Sequence, residues 1–296
     1  MPQRRAVGRG LGILGAFLLV FAVLAWLLTF SGEGGGGSPW AAAVGVIEVT
    51  GVIEDDEEIV AAIRRFAKSD QIRAVVLRVE SPGGAVTPSQ EIYRELLRLR
   101  EKKPLVASLG EVAASGGYYV ASACTVIVAN PGTITGSIGV IMGTMYNVHG
   151  LLEKLGIKGT VIKAGTYKDI GSSLRDITAE ERQILKDMLD DVHRQFIAAI
   201  AVGRKMDEAA VRPLADGRVY SGEQAKRLGL VDRIGGFQDA VELAAKEAGI
   251  SGEPRLVRAQ MQKKSWWRQL TSRWLGEMSS NGATGMRMFF LGPRLS

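Results

Sequence analysis

The stretch Pro104-Leu-Val-Ala-Ser-Leu-Gly-Glu-Val-Ala-Ala-Ser-Gly-Gly-Tyr-Tyr-Val-Ala-Ser-Ala123 decides the fold. Its first six residues, Pro104 to Leu109, read as a buried strand. The residues after Ser115, through Ala123, are small and apolar enough for a buried helix. Ser115 then stands at a strand-to-helix turn with Gly116 beside it. That placement presents a hydroxyl together with backbone N–H groups that have no partner inside the helix.

Similar strand-like runs lie on both sides. Val44 to Val49, Arg73 to Val79, Thr125 to Ala129 and Thr160 to Lys163 are candidate strands. Helical spacing alternates with them. Glu57 to Ala67 carries Ile59, Val60, Ile63 and Phe66 on one side, and Thr87-Pro88-Ser89-Gln90 has the chemistry of a helix start. Thr178-Ala179-Glu180-Glu181 is a capping box that opens a long helix to about Val202. Shorter helices are expected at Asp207–Leu214, Ser221–Leu228 and Phe237–Ala248. Strands alternating with helices predict an α/β domain with a mainly parallel sheet.

Five domain segments follow from composition. Residues 1–10 are basic, with Arg4, Arg5 and Arg9. Leu11 to Phe30 carries no charge and has the length of a bilayer-spanning helix, so an uncleaved signal anchor is expected at 11–30. The rival is a cleaved signal peptide, against which the apolar core is long and no clear A-x-A site closes it. Arginines on its N-terminal side predict a cytoplasmic N-terminus and a catalytic domain beyond the cell membrane. Residues 31–40 are a Gly-rich linker, 41–250 the catalytic domain, and 251–296 a basic, aromatic tail. The net charge of +6 gathers at the two ends. This favours an anionic membrane surface over nucleic acid, for which no recognition motif is present. The single cysteine, Cys124, excludes an internal disulfide and is expected to be buried and inert.

Three glycine-bearing turns follow strands: Ser81-Pro82-Gly83-Gly84, Ser115-Gly116-Gly117 and Thr133-Ile134-Thr135-Gly136-Ser137-Ile138-Gly139-Val140. In parallel sheets such turns gather at the carboxyl ends of the strands, where binding sites form. An acyl-transfer serine needs a base. The chain has two histidines, His149 and His193, and neither has an evident partner in sequence. A lysine serves if desolvation or a nearby cation keeps it neutral. Lys168 is the candidate, although spacing alone favours a surface lysine paired with Asp169.

In combination these residues resemble the signal peptide peptidase A family, the S49 serine peptidases, in its short form. The matching runs are Ser81–Gly84, Ala114–Tyr119, Thr135–Val140, Gly165–Gly171, Gly217–Gly222 and Leu228–Asp232 with Gly235-Gly236, in that order. The resemblance implies a crotonase/Clp-protease-like fold and a serine endopeptidase with a Ser/Lys dyad. It implies Ser115 as nucleophile, Lys168 as general base and Ser137 as a hydrogen-bonding support for that base. It implies an oxyanion hole from Gly84 and Gly116, shaped by Gly83, and assigns no chemistry to Asp169 or Ser172. No metal and no other cofactor is expected. Apolar peptides such as remnant signal peptides would be the substrates. A ring-shaped homo-oligomer would allow the lysine of one protomer to serve the serine of its neighbour. Glu80 departs from the asparagine frequent there, with an effect expected on the turn only. The alternatives from other classes are an enzyme acting on acyl-coenzyme A and a silent membrane scaffold.

The tail offers two further expectations. Lys263 to Leu275 mixes basic residues with indoles and suits an interfacial helix. Met286 to Leu291 is apolar and resembles a peptidase substrate that enters a cleft.

Overall fold

Strand follows helix follows strand from Ala43 onward. The computed structural model describes residues 42–260 and 289–291, together with Phe21. The expected span at 11–30, Phe21 apart, lies outside the described residues, as do the linker and the Lys263–Leu275 segment. Among the described residues no helix is long and apolar enough to cross a membrane. The chain divides into two compact units, residues 1–41 and residues 42–296.

The second unit is built on one sheet. Its strands are β1 (Ala43–Ile53), β2 (Ile72–Ala85), β3 (Leu105–Ala114), β4 (Val126–Ala129), β5 (Ile134–Gly136), β6 (Val219–Ser221), β7 (Arg233–Ile234), β8 (Arg255–Arg258) and β9 (Phe289–Leu291). The main path runs β6-β5-β3-β2-β1-β8, with β4 and β7 branching from β3 and β9 pairing with β2. All pairs are parallel except β5 with β6 and β2 with β9. The helices are α1 (Glu57–Lys68), α2 (Val86–Arg100), α3 (Gly116–Ala121), α4 (His149–Lys154), α5 (Ala179–Arg204), α6 (Glu208–Val211), α7 (Gly222–Arg227) and α8 (Phe237–Glu247). A 3-10 turn, Arg212–Leu214, follows α6.

Alternation along the strands explains why helices cover both faces of the sheet. Ile47, Val75, Leu77, Leu105, Ala107 and Leu109 point into the larger core beneath α1, α2, α3 and α5. Val44, Ala74, Val76, Val106 and Val128 point the other way, onto Ala240, Val241 and Ala244 of α8. Cys124 lies in the larger core, and burial pushes its thiol far above the usual range, so it is inert.

Several expectations are corrected. β2 does not stop at Val79; it continues through Ser81-Pro82-Gly83-Gly84 to Ala85. Its pairing shifts register between Val79 and Ser81, which is where a strand accommodates a proline. Helix α2 consequently starts at Val86 with Ala85 before it, and Thr87 is not its cap. Residues 160–163 form no strand and pair with none of the strands described; Ile162 is 96 % exposed. β8 lies past residue 250 yet pairs with β1, so the sheet extends beyond the expected domain limit. The capping box at Thr178 forms as the sequence predicts, and a second one at Ser221 opens the helix expected there.

Helix α5 holds the helix that follows Ser115. Phe196 of α5 is fully buried and stacks at 4.8 Å on Tyr119 of α3, which meets Tyr93 of α2 at 5.0 Å. The Tyr93 hydroxyl donates to Ala199 O at 2.7 Å and closes the cluster. Phe196→Ala should therefore cost about 3–5 kcal/mol of stability. Chemical denaturation should show it as a lower midpoint with an unchanged slope.

Candidate active site

The three turns do converge. Ser81 of β2 pairs with Ala113 of β3, and Ala114 of β3 pairs with Gly136 of β5. The carboxyl ends of three neighbouring parallel strands therefore deliver Ser81–Gly84, Ser115–Gly117 and Gly136-Ser137 to one place.

Ser115 is the residue before the first turn of α3, with φ 53° and ψ −118°. A non-glycine residue in that region is strained by about 1–3 kcal/mol and persists only when its surroundings impose it. They do so here: its N–H donates to Gly136 O at 2.7 Å, and its carbonyl accepts from Tyr119 N at 2.8 Å. The side chain is fully buried, and its Oγ has no hydrogen-bond partner. A buried orphan hydroxyl is uncommon and points to a partner that arrives with function.

Gly84 and Gly116 are brought together. A Cβ placed on Gly116 would lie 3.1 Å from Gly84 N, 3.2 Å from Gly83 Cα and 2.9 Å from Ser89 Oγ. A Cβ on Gly84 would lie 2.1 Å from Ile53 O. Gly83 has φ 104°, a region glycine enters without penalty. The first N–H groups of a helix have no acceptor within it, so the start of α3 suits a developing oxyanion. Ser81 locks the facing turn: its hydroxyl donates to Gly51 O at 2.6 Å and accepts from Gly83 N at 3.1 Å. Glu80 accepts from the N–H groups of Glu111 and Val112 at 3.0 and 3.1 Å, and so shapes the strand leading to Ser115.

Ser137 also has positive φ, 50°, with its N–H held by Arg218 O at 2.8 Å. It lines a cavity of about 380 Å³ with Ile141, Leu189, His193, Ala215 and Gly217. His193 Nε2 is buried and unpartnered, and it makes no bond to Ser115. His149 lies on α4 against Glu153.

Lys168 is not brought to Ser115 within this chain. It stands exposed on a turn, its N–H bonded to Gly165 O at 3.2 Å. The local pair with Asp169 that spacing favours does not form. Asp169 is claimed by Arg175, whose Nε and Nη2 reach its two oxygens at 2.9 and 2.8 Å, and by the Lys163 ammonium. Arg175 also reaches both oxygens of Glu181, at 2.8 and 2.5 Å. Glu181 is the third residue of α5, and its carboxylate accepts from Thr178 N at 3.0 Å. One guanidinium thus ties the turn carrying Lys168 to the start of α5. The sequence reading missed this clamp; an arginine between two acids in a loop is too common a pattern to single out.

The last two sequence motifs support the site from behind. Leu230 O accepts the Tyr118 hydroxyl at 2.7 Å, and Asp232 accepts Ile127 N at 2.7 Å and pairs with Arg204. Tyr220 packs where a Cβ on Gly136 would stand, 2.5 Å from its ring.

The clamp yields a pH prediction. Arg175 holds Asp169 well below the ordinary carboxylate range, with help from Lys163. Arg175, then the Thr178 N–H, lowers Glu181 to about 2. Carboxylates depressed in the folded state stabilise it above their unfolded pKa, near 4, and lose that contribution as pH falls through the folded value. The protection of residues 163–176 against hydrogen exchange, taken relative to the intrinsic rate at each pH, should hold down to about pH 4 and fall below it. Arg175→Ala should show weakened protection of this segment already at neutral pH, where the clamp is otherwise intact.

The description "Peptidase family S49" matches residues 98–251. A putative protease of Synechocystis is 46% identical over 205 residues, 69% of this chain and 74% of that protein. A putative signal peptide peptidase SppA of Enterococcus faecium is 38% identical over 186 residues, 62% of this chain and 54% of that protein. The chloroplastic serine protease SPPA of Arabidopsis thaliana is 33% identical over 210 residues, 71% of this chain and 31% of that protein. The match takes in Ser115, Ser137, Lys168 and both supporting motifs, but starts after Gly84. This chain belongs to peptidase family S49 and is a serine-type peptidase.

Proposed function

We propose that the protein is a membrane-anchored serine endopeptidase that cleaves apolar peptides, such as remnant signal peptides, after their release in or near the membrane. The observation that carries the reading is the Ser115 hydroxyl. It is buried, orphaned and strained at a helix start that packs against Gly83-Gly84. In the proposed reaction a neutral Lys168 takes the Ser115 proton as Oγ attacks the scissile carbonyl. The N–H groups of Gly84 and Gly116 receive the oxyanion, and Ser137 orients the lysine. The amine departs with the transferred proton. Water, deprotonated by Lys168, then releases the acyl group.

The membrane assignment rests on the uncharged segment Leu11–Phe30 and the arginines before it. The substrate class draws support from the Enterococcus relative, which is described as a signal peptide peptidase.

The separation of Lys168 from Ser115 supports a site completed by a second copy of the chain. Lys168 belongs to a segment that exposes Met145, Tyr146, Leu151, Leu155, Ile157 and Ile162, a run of apolar side chains that water does not favour. Packing of this segment on a neighbouring protomer would bury those residues. It would also desolvate the ammonium, which favours its neutral form.

Ser115→Ala and Lys168→Ala should each lower turnover of an internally quenched apolar peptide by about a thousandfold or more. Mixing the two inactive variants and reassembling them should restore a measurable fraction of activity. Mixed assemblies that remain inactive would place serine and base in one chain. Normal turnover by Lys168→Ala would remove the dyad.

A further inference from the structure

We propose that Glu80 is a positioning residue for Ser115: its carboxylate ties the strand that carries the nucleophile to the strand that carries the oxyanion turn. The inference rests on the reading of Ser115 as nucleophile and Gly84 as oxyanion donor, and adds a residue outside that set.

The need for a tie arises where β2 and β3 part. Val79 pairs with Leu109, and the next pair is Ser81 with Ala113. Between these pairs β2 has Glu80 alone, while β3 has Gly110, Glu111 and Val112. The extra residues leave the ladder, and backbone groups freed by a bulge must find other partners. Side chains supply them. The Glu80 carboxylate accepts from Glu111 N at 3.0 Å with one oxygen and from Val112 N at 3.1 Å with the other. Arg78 Nη1 donates to Leu109 O at 3.3 Å. The hydroxyls of Thr133 and Thr135 donate to Gly110 O and Ala113 O, each at 2.7 Å. The fit around the carboxylate is close. A Cβ on Gly110 would stand 1.6 Å from Glu80 Oε2, and Arg78 Nη2 lies 3.6 Å from that oxygen.

The place of Glu80 in the chain gives the tie its consequence. Ser81, the next residue, locks the Gly83–Gly84 turn through its hydroxyl. Val112, held by the carboxylate, leads through Ala113 and Ala114 to Ser115. One side chain thus joins the two turns whose spacing the reaction depends on. Its loss moves Ser115 relative to Gly84 without removing any group that meets the substrate. A misplacement of about 1 Å costs up to about 100-fold in rate. The double contact requires a carboxylate. Both of its oxygens accept, whereas an amide would turn its NH2 towards one of the two N–H groups.

The full chain in one detergent, unaltered and as Glu80→Gln and Glu80→Ala, tests this with the quenched peptide. Both variants should lose kcat by about 10- to 100-fold, with KM within about twofold of the unaltered value. The Glu80 side chain is 39 % exposed, so the gap in Glu80→Ala is open to a small carboxylate. Sodium formate should restore kcat of Glu80→Ala saturably, by about fivefold or more, through the same two N–H groups and Arg78. Sodium chloride at equal ionic strength should not. A merely weakened fold would respond to neither. Equal kcat in the unaltered chain and Glu80→Ala would overturn the proposal, and so would a loss that formate and chloride leave alike. Hydrogen exchange at Glu111 and Val112 separates failure of the tie from failure of the nucleophile reading, because it needs no turnover. Those amides should lose protection in Glu80→Ala and regain it with formate. Unchanged protection overturns the tie whether or not the protein cleaves peptides. Protection lost and regained, with full turnover by Ser115→Ala, would retain the tie and defeat Ser115 as the nucleophile.

Discussion

The backbones of Gly83–Gly84 and Ser115–Gly117 approach each other with no room for a side chain between them. A Cβ on Gly116 would press on Gly84 N and Gly83 Cα, and one on Gly117 would stand 2.6 Å from Ser81 O. This contact sets the rest of the site. It places the start of α3 beside the facing turn, where the proposed oxyanion hole draws on Gly84 and Gly116. It also obliges the chain to reverse sharply at Ser115, which accounts for the positive φ there. The strain is contained because β2, β3 and β5 are neighbours in one parallel sheet and because α5 packs on α3 through Phe196 and Tyr119. The cost of about 1–3 kcal/mol per strained residue is small against a core of that extent.

In the proposed dyad the two halves differ in setting. Ser115 sits among buried strands, a buried helix and glycines at close backbone contacts. The lysine side is an exposed segment, fixed to the start of α5 by Arg175 through Asp169 and Glu181. Arg175 also keeps Asp169 occupied, so the carboxylate next to Lys168 forms no ion pair with it. A counter-ion there would favour the charged amine, the opposite of what the general base of the proposed reaction requires.

Much of this was legible in the sequence. Strand-to-helix reading at Pro104–Ala123 located Ser115, and the apolar runs around it gave a parallel sheet covered on both faces. The capping box at Thr178 marked its helix because it rests on side chains within three residues of one another. What escaped was what depends on distant partners. β2 runs through Pro82 because β1 shifts register with it. Residues 160–163 have strand composition and pair with none of the strands described. The Gly217–Gly222 and Leu228–Asp232 motifs read as parts of a site, yet they serve it indirectly: Arg218 holds Ser137, Leu230 holds Tyr118, and Asp232 holds β4. The strand at Phe289–Leu291 matched an expectation of apolar, substrate-like sequence. Its place beside Gly83–Ala85 depended on where β3 ends.

The central claim is that the buried, unpartnered hydroxyl of Ser115 is the nucleophile. The most direct measurement is the position of the adduct formed by a fluorophosphonate, read by tandem mass spectrometry of the digested full chain. The account predicts one adduct, on Ser115, lost on prior heat denaturation. An adduct on Ser137 or on any other serine, with Ser115 unmodified, would contradict it.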